Sequence, residues 1–396
     1  MISDWFFELM KGFGRLFMQP VTYWTVLLLM MASVKRIKRE RRDFGSKIFH
    51  IFAEWRKTIG ISLLFGLILS IVSIAVGFSL PYPVVLLYSA VVILLTLSLR
   101  FSWISPAYTL ALTAVLLLWL PELNTSFLPD SWVTAFENTS FTALGLLMGV
   151  FLILEAILFH RFRNNDSFPQ YVKGSRGKLI GQHRLKRLGF LPVFFLIPGG
   201  AIEPFAGWWP IFEIGDGTYG LMAAPILLGF EHVVRGVSPR SAALTMRSSL
   251  VVLAILVLGL SVASFYVPIL ALVAIVLAPV GREISSFLLR WRDHGKNPYF
   301  TPRYDGLPIL GVIPGSPADQ MNLVVGETIE KVNGLNVTNE QDFYYAVQSN
   351  LAYCKIAVKD TAGEIRFAKR AMYENDHYEL GLVFVKDQYA KQKKAK

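Results

Sequence analysis

The run IGISLLFGLILSIVSIAVGFSL, residues 59–80, decides the fold class. It holds 22 residues without an ionisable side chain. That is the length and composition of a helix crossing a hydrocarbon core about 30 Å thick. Pro81 and Pro83 break it sharply. Just before it, residues 35–57 carry nine Lys/Arg, among them Lys35, Arg36, Lys38, Arg39, Arg41 and Arg42. By the positive-inside rule this loop is expected in the cytoplasm.

Reading outward, further apolar runs are expected to span at 17–34, 84–99, 104–120 and 141–159. Residues 121–140 contain Glu122, Asp130 and Glu137 and no Lys or Arg, the pattern of an outer loop, whereas 161–187 carries eight Lys/Arg and belongs inside. Residues 188–205 and 218–234 are expected as a spanning hairpin. Its connection, 206–217, holds Trp208, Trp209, Glu213 and Asp216 and lies outside or is partly re-entrant. Pro198, Gly199, Gly200 and Pro204 weaken the helix before it. Arg235, Arg240 and Arg247 then lie inside. As one helix, residues 250–280 would be about 46 Å long, too long for the bilayer core. Pro268 near the middle argues for two spans, about 250–265 and 267–280. The sum is about eight or nine spans within 17–291. Residues 1–16 interleave Trp5, Phe6, Phe7, Met10 and Phe13 with Asp4, Glu8, Lys11 and Arg15; they are expected as an amphipathic interfacial helix, not a cleaved signal peptide.

The composition agrees. Of 396 residues, 54% are hydrophobic and 17% charged, with a mean hydropathy of +0.47, against about 25% charged in a soluble domain. The net charge of +11 sits in loops and in Lys391, Lys393, Lys394 and Lys396, which fits topology signals rather than a nucleic-acid surface. Cys354 is the one cysteine, which excludes an internal disulfide and leaves no cysteine cluster for zinc.

After Trp291 the composition changes. Residues 292–303 are polar, with Gly295, Pro298 and Pro302, and read as a linker. Residues 304–389 read as a small α/β domain followed by a basic tail, 390–396. Strands are expected at 307–313, 328–332, 335–337, 355–359, 365–370 and 380–385. Ser316-Pro317-Ala318-Asp319 starts a short helix. Asn333-Gly334 makes a tight turn. Thr338 with Gln341 forms a capping box for a helix over 339–348.

This order resembles the PDZ family in its circularly permuted bacterial form. The resemblance rests on Gly311-Val312-Ile313-Pro314-Gly315-Ser316-Pro317-Ala318, Gly326-Glu327-Thr328-Ile329, Val332-Asn333-Gly334 and the 337–347 segment. Met321-Asn322-Leu323 and Glu327 depart from the usual Ala-Gly-Leu and Asp. The fold expected is thus an α-helical multi-pass membrane domain plus a small C-terminal α/β PDZ-like domain. PDZ domains take up an extended peptide as an added strand. The resemblance implies a groove at Gly306, Leu307, Ile309, Leu310 and Gly311, with Tyr344 and Gln348 on the helix. Pro308 lacks an N–H, which puts capture of a terminal carboxylate in doubt.

Catalytic signatures are missing. His-Glu-x-x-His is absent, and Glu231-His232 lacks a second ligand four residues on. Gly-x-Ser-x-Gly and a phosphate-binding Gly-rich loop are also absent. No metal or cofactor is expected. A PDZ-containing protease and a transporter using Glu155 or Glu203 are the alternatives. The whole layout resembles the MinJ-type cell-division topological determinants of Gram-positive rods. That resemblance implies a non-catalytic adaptor at septa and poles, linking a DivIVA-like coiled-coil marker to MinD with MinC and contacting other division proteins, its PDZ-like domain in the cytoplasm.

Overall fold

The computed structural model describes residues 2–123, 128–174, 177, 179–212, 217–302, 305–350, 352–360, 362–372 and 380–385. Glu213, Asp216 and the basic tail lie outside the described residues. The chain runs through α1 (Ile2–Phe17), α2 (Pro20–Phe44), α3 (Ala53–Arg56), α4 (Ile59–Val76), α5 (Tyr82–Thr96), α6 (Pro106–Glu122), α7 (Asp130–Glu137) and α8 (Phe141–His160). Three strands follow, β1 (Phe168–Lys173), β2 (Leu179–Ile202) and β3 (Tyr219–Val234), then α9 (Pro239–Ala263) and α10 (Ile269–His294). The C-terminal domain comprises β4 (Leu307–Val312), α11 (Pro317–Gln320), β5 (Thr328–Val332), β6 (Leu335–Asn336), α12 (Glu340–Gln348), β7 (Tyr353–Lys359), β8 (Ile365–Ala371) and β9 (Leu382–Phe384).

Among the described residues, α4, α8, α9 and α10 are long and apolar enough to cross a membrane; α1 and α2, bent by 45°, make a fifth span if counted as one. The burial of α4 is inverted relative to a water-soluble helix. On α4 the buried residues are Ser62, Gly66, Ser70 and Ser73, while Leu64, Leu67 and Ile71 are 56–62% exposed. Small and polar residues face the protein and large apolar ones face outward, as lipid requires. On α1, too, Glu8 is buried and Phe6, Phe7, Met10 and Phe13 are exposed.

The helical reading of residues 188–205 and 218–234 is corrected: both runs are β-strand. Pro192, Pro198 and Pro225 would each break a helical hydrogen-bond ladder. The count of eight or nine helical spans falls with it, to the four or five above plus the shorter apolar helices Tyr82–Thr96 and Pro106–Glu122. The hairpin pairs Phe190 with Leu227 and Ile197 with Gly220. It runs beside α4, with Thr58 donating to Leu188 O and Ser70 Oγ accepting from Phe194 N at 2.9 Å. Those contacts are twelve residues apart on the helix, about 18 Å, and six apart on the strand, about 20 Å. Where α4 crosses the bilayer, so does β2.

A sheet edge facing lipid would leave backbone groups unbonded. Here α1, α4, α5 and the segment joining α4 to α5 supply partners to both edges. On β2, Leu196 exchanges bonds with Phe78 O (3.0 Å) and Leu80 N (2.8 Å). Gly66 allows the approach, since a Cβ there would lie 2.8 Å from Pro192 O. On β3, Arg15 Nη1 donates to Leu221 O at 2.6 Å, and the Tyr88 hydroxyl accepts from Leu227 N at 3.3 Å.

The C-terminal sheet has the order β8-β7-β5-β4-β9, with β6 beside β5. Asn339, not Thr338, caps α12: its side chain accepts from Gln341 N and Asp342 N, both at 2.9 Å. Thr338 instead donates to Asp342 at 2.8 Å. The domain sits against the β1 end of the hairpin. Gly181 N donates to Phe300 O at 2.9 Å, Asn165 bonds both Leu323 O and Val325 N at 2.8 Å, and Tyr171 donates to Phe384 O at 2.5 Å.

Candidate peptide-binding groove

The residues expected to form the groove fall into two sets. Leu307, Ile309 and Leu310 are 5%, 0% and 0% exposed, and Gly306 and Gly311 are also buried. They lie on or beside β4, which is an interior strand. Its first half pairs with β5 (Leu307 with Ile329). Its second half pairs with β9 (Ile309 with Phe384, Gly311 with Val383). An added strand needs an unpaired edge, so placing it along Gly306–Gly311 is corrected. Tyr344 is half-buried and Gln348 exposed; both lie on α12. Tyr344 donates to Glu340 at 3.0 Å.

The open edge is β9. Among the described residues, no strand pairs with it on the side away from β4. It lies beside α12: the Phe384 and Phe343 rings meet edge-on with centroids 4.9 Å apart. Leu380 and Gly381 lead into it with φ of 52° and 77°. Ala318 N holds Leu380 O at 2.9 Å and Ile313 N holds Gly381 O at 2.8 Å. A Cβ at Gly381 would sit 2.2 Å from Ser316 Cβ, so only glycine fits. The sequence signal was Leu380-Gly381-Leu382-Val383-Phe384, an apolar strand opened by a glycine, which reads as a strand but does not announce an edge.

Electrostatics at α12 are local. Burial works against ionisation of Asp342, but hydrogen bonds from Thr338 and Asn339 outweigh it and hold the carboxyl below its ordinary value. Cys354, on β7, is buried, which pushes its thiol up to about 11 and leaves it a packing residue.

The other candidates are dispersed. Glu155 is 0% exposed and accepts from Arg282 at 2.8 Å and Ser105 at 2.6 Å. Glu203 is exposed just beyond the end of β2. Among the described residues, no three His, Cys, Asp or Glu are grouped to hold a metal.

Residues 309–352 match the PDZ domain family. The chain is 33% identical over 387 residues to the cell division topological determinant MinJ of Bacillus subtilis (strain 168), covering 98% of this chain and 97% of that protein. It is 24% identical over 395 residues to a probable cell division topological determinant MinJ of Lacticaseibacillus paracasei, covering 95% and 98%. No solved structure matches.

Proposed function

The chain belongs to the family of MinJ cell division topological determinants, and on that premise we propose that it is a non-catalytic membrane scaffold of division-site selection. It links a DivIVA-like marker of poles and septa to MinD, and through MinD to the division inhibitor MinC. The PDZ-like domain faces the cytoplasm, a side supported by the basic loops 35–57 and 161–187. A β-hairpin returns to the side it left, as a helical one would, so this orientation is unaffected by the change from helix to strand.

The observation that carries the reading is the unpaired edge of β9 beside α12, in a domain fastened to a membrane bundle. Such an edge recognises an extended segment through main-chain hydrogen bonds, with pockets for alternate side chains. A partner bound there is confined to the membrane plane. The pairing of Glu155 with Arg282 favours a structural role over a transport site.

The test is the distribution of a functional fluorescent fusion in dividing cells. Enrichment at septa and young poles, lost on removal of the DivIVA-like marker, is expected. An even membrane distribution throughout the cycle would overturn the proposal.

A further inference from the structure

A cavity of about 260 Å³ lies between α2, the turn after α5 and the ends of β1–β3 nearest the PDZ-like domain. A single water needs roughly 10–15 Å³. The walls carry Lys35, Arg36, Arg39, Arg100, Arg184 and Lys186 against Glu40, Glu54 and Glu231, an excess of three positive charges. The carboxylates are engaged. Arg36 binds Glu54 and Glu40, both at 2.9 Å. Glu231 takes Arg184 and Phe101 N at 2.9 Å.

Several donors remain. Lys35 and Arg100 are exposed and form no ion pair among the described residues. Lys186 is buried, its Nζ 3.9 Å from Glu231 and 3.8 Å from the Phe101 ring centre. Gln170 is 5% exposed; its Oε1 accepts from Arg39 at 3.0 Å, and neither its buried Nε2 nor Arg184 Nε has a partner among the described residues. Burying unpaired donors is costly, and one ligand would relieve several at once. Burial, and then the neighbouring Arg184 charge, push the Arg39 guanidinium below its ordinary value, the strain that an anion between them removes.

We propose that this cavity binds a phosphate-class anion, either the headgroup of an acidic phospholipid or inorganic phosphate. Its level in the molecule fits a headgroup. α2 turns from apolar to basic between Val34 and Lys35, the boundary where basic pockets between helices meet acidic lipid.

The test uses the full chain purified in detergent. Native mass spectrometry measures retention of phosphatidylglycerol against phosphatidylcholine, and thermal unfolding measures the effect of inorganic phosphate. Wild type should retain one phosphatidylglycerol selectively. Lys35→Gln/Arg100→Gln, which removes exposed and unpaired cations, should lower retention roughly fivefold per cation at an unchanged unfolding midpoint. Gln170→Leu should lower it without changing the net charge. Lys38→Gln/Lys47→Gln, which removes two exposed charges outside the cavity, should leave it intact. A phosphate-induced rise in midpoint, abolished in Lys35→Gln/Arg100→Gln and without lipid selectivity, assigns the site to free phosphate. Equal losses in both double variants, or no response to either probe, overturn the proposal.

Discussion

The hydroxyl of Ser70, on a spanning helix, accepts the backbone N–H of Phe194 at 2.9 Å. Ser70 also donates to Gly66 O at 2.6 Å, so one side chain serves helix and strand together. Ser70→Ala leaves a buried N–H without a partner and should cost about 1–3 kcal/mol. Gly66→Val, which drives a side chain into Pro192 O, should cost more. Unfolding of the purified chain in detergent measures both. A neutral Ser70→Ala would mean that this edge is bonded in some other way.

Glu155 and Arg282 lie on α8 and α10 and are 0% and 3% exposed. Removing one partner strands a buried charge, and Glu155→Met or Arg282→Met alone should cost about 3–5 kcal/mol. The double Met variant should recover most of that loss. A double-mutant cycle on detergent unfolding reads the coupling. A double variant that folds and still localises to septa would confine the pair to a structural role. One that folds but loses solute flux would favour transport.

His183 is buried against Phe300, ring centres 4.3 Å apart, and burial pushes its imidazole down to about 3. The unfolded imidazole titrates near 6.5. Below about pH 6.5 the unfolded chain gains a proton that the folded one refuses, so stability is kept above that pH and falls progressively toward pH 3. His183→Gln should therefore lose less of its unfolding midpoint between pH 7 and pH 5 than wild type. Parallel slopes would count against the assignment.

If β9 receives an extended segment, its amides should gain protection from deuterium exchange when the partner binds to the full chain. Amides of β4 should change little, being already engaged by β5 along its first half and by β9 along its second. Tyr344→Ala on the facing helix should weaken binding by about 1–2 kcal/mol, measured at a temperature where the variant is shown to be folded, since the ring also packs on the domain core. Protection at β4 alone would return the groove to the interior strand.

The membrane helices and the C-terminal domain were legible because length and turn chemistry mark them. The run at 59–80 has the length of a span, and Ser316-Pro317, Asn333-Gly334 and Gly326-Glu327 punctuate the PDZ-like fold. The β-hairpin was not legible. A strand buried on both faces reads as a continuous apolar run, which periodicity cannot tell from a membrane helix. Pro192 and Pro225 were the missed signals. The groove was misplaced for a related reason: Leu307-Pro308-Ile309-Leu310-Gly311-Val312 carries no polar alternation, the mark of a strand enclosed by neighbours rather than of an edge.

The hydroxyl and glycine stripe of α4 also bears on biogenesis. The hairpin cannot enter the bilayer by itself, because its outer backbone groups find their bonds on Thr58, Ser70 and residues 78–80. Each lies more than a hundred positions ahead of the β2 residue it bonds. They leave the ribosome first, so the receptacle is synthesised before the element it must receive. Insertion of the β2 and β3 segments beside α4 is thereby tied to a helix already in place, and an α4 defect should surface as failed membrane integration of strands far downstream.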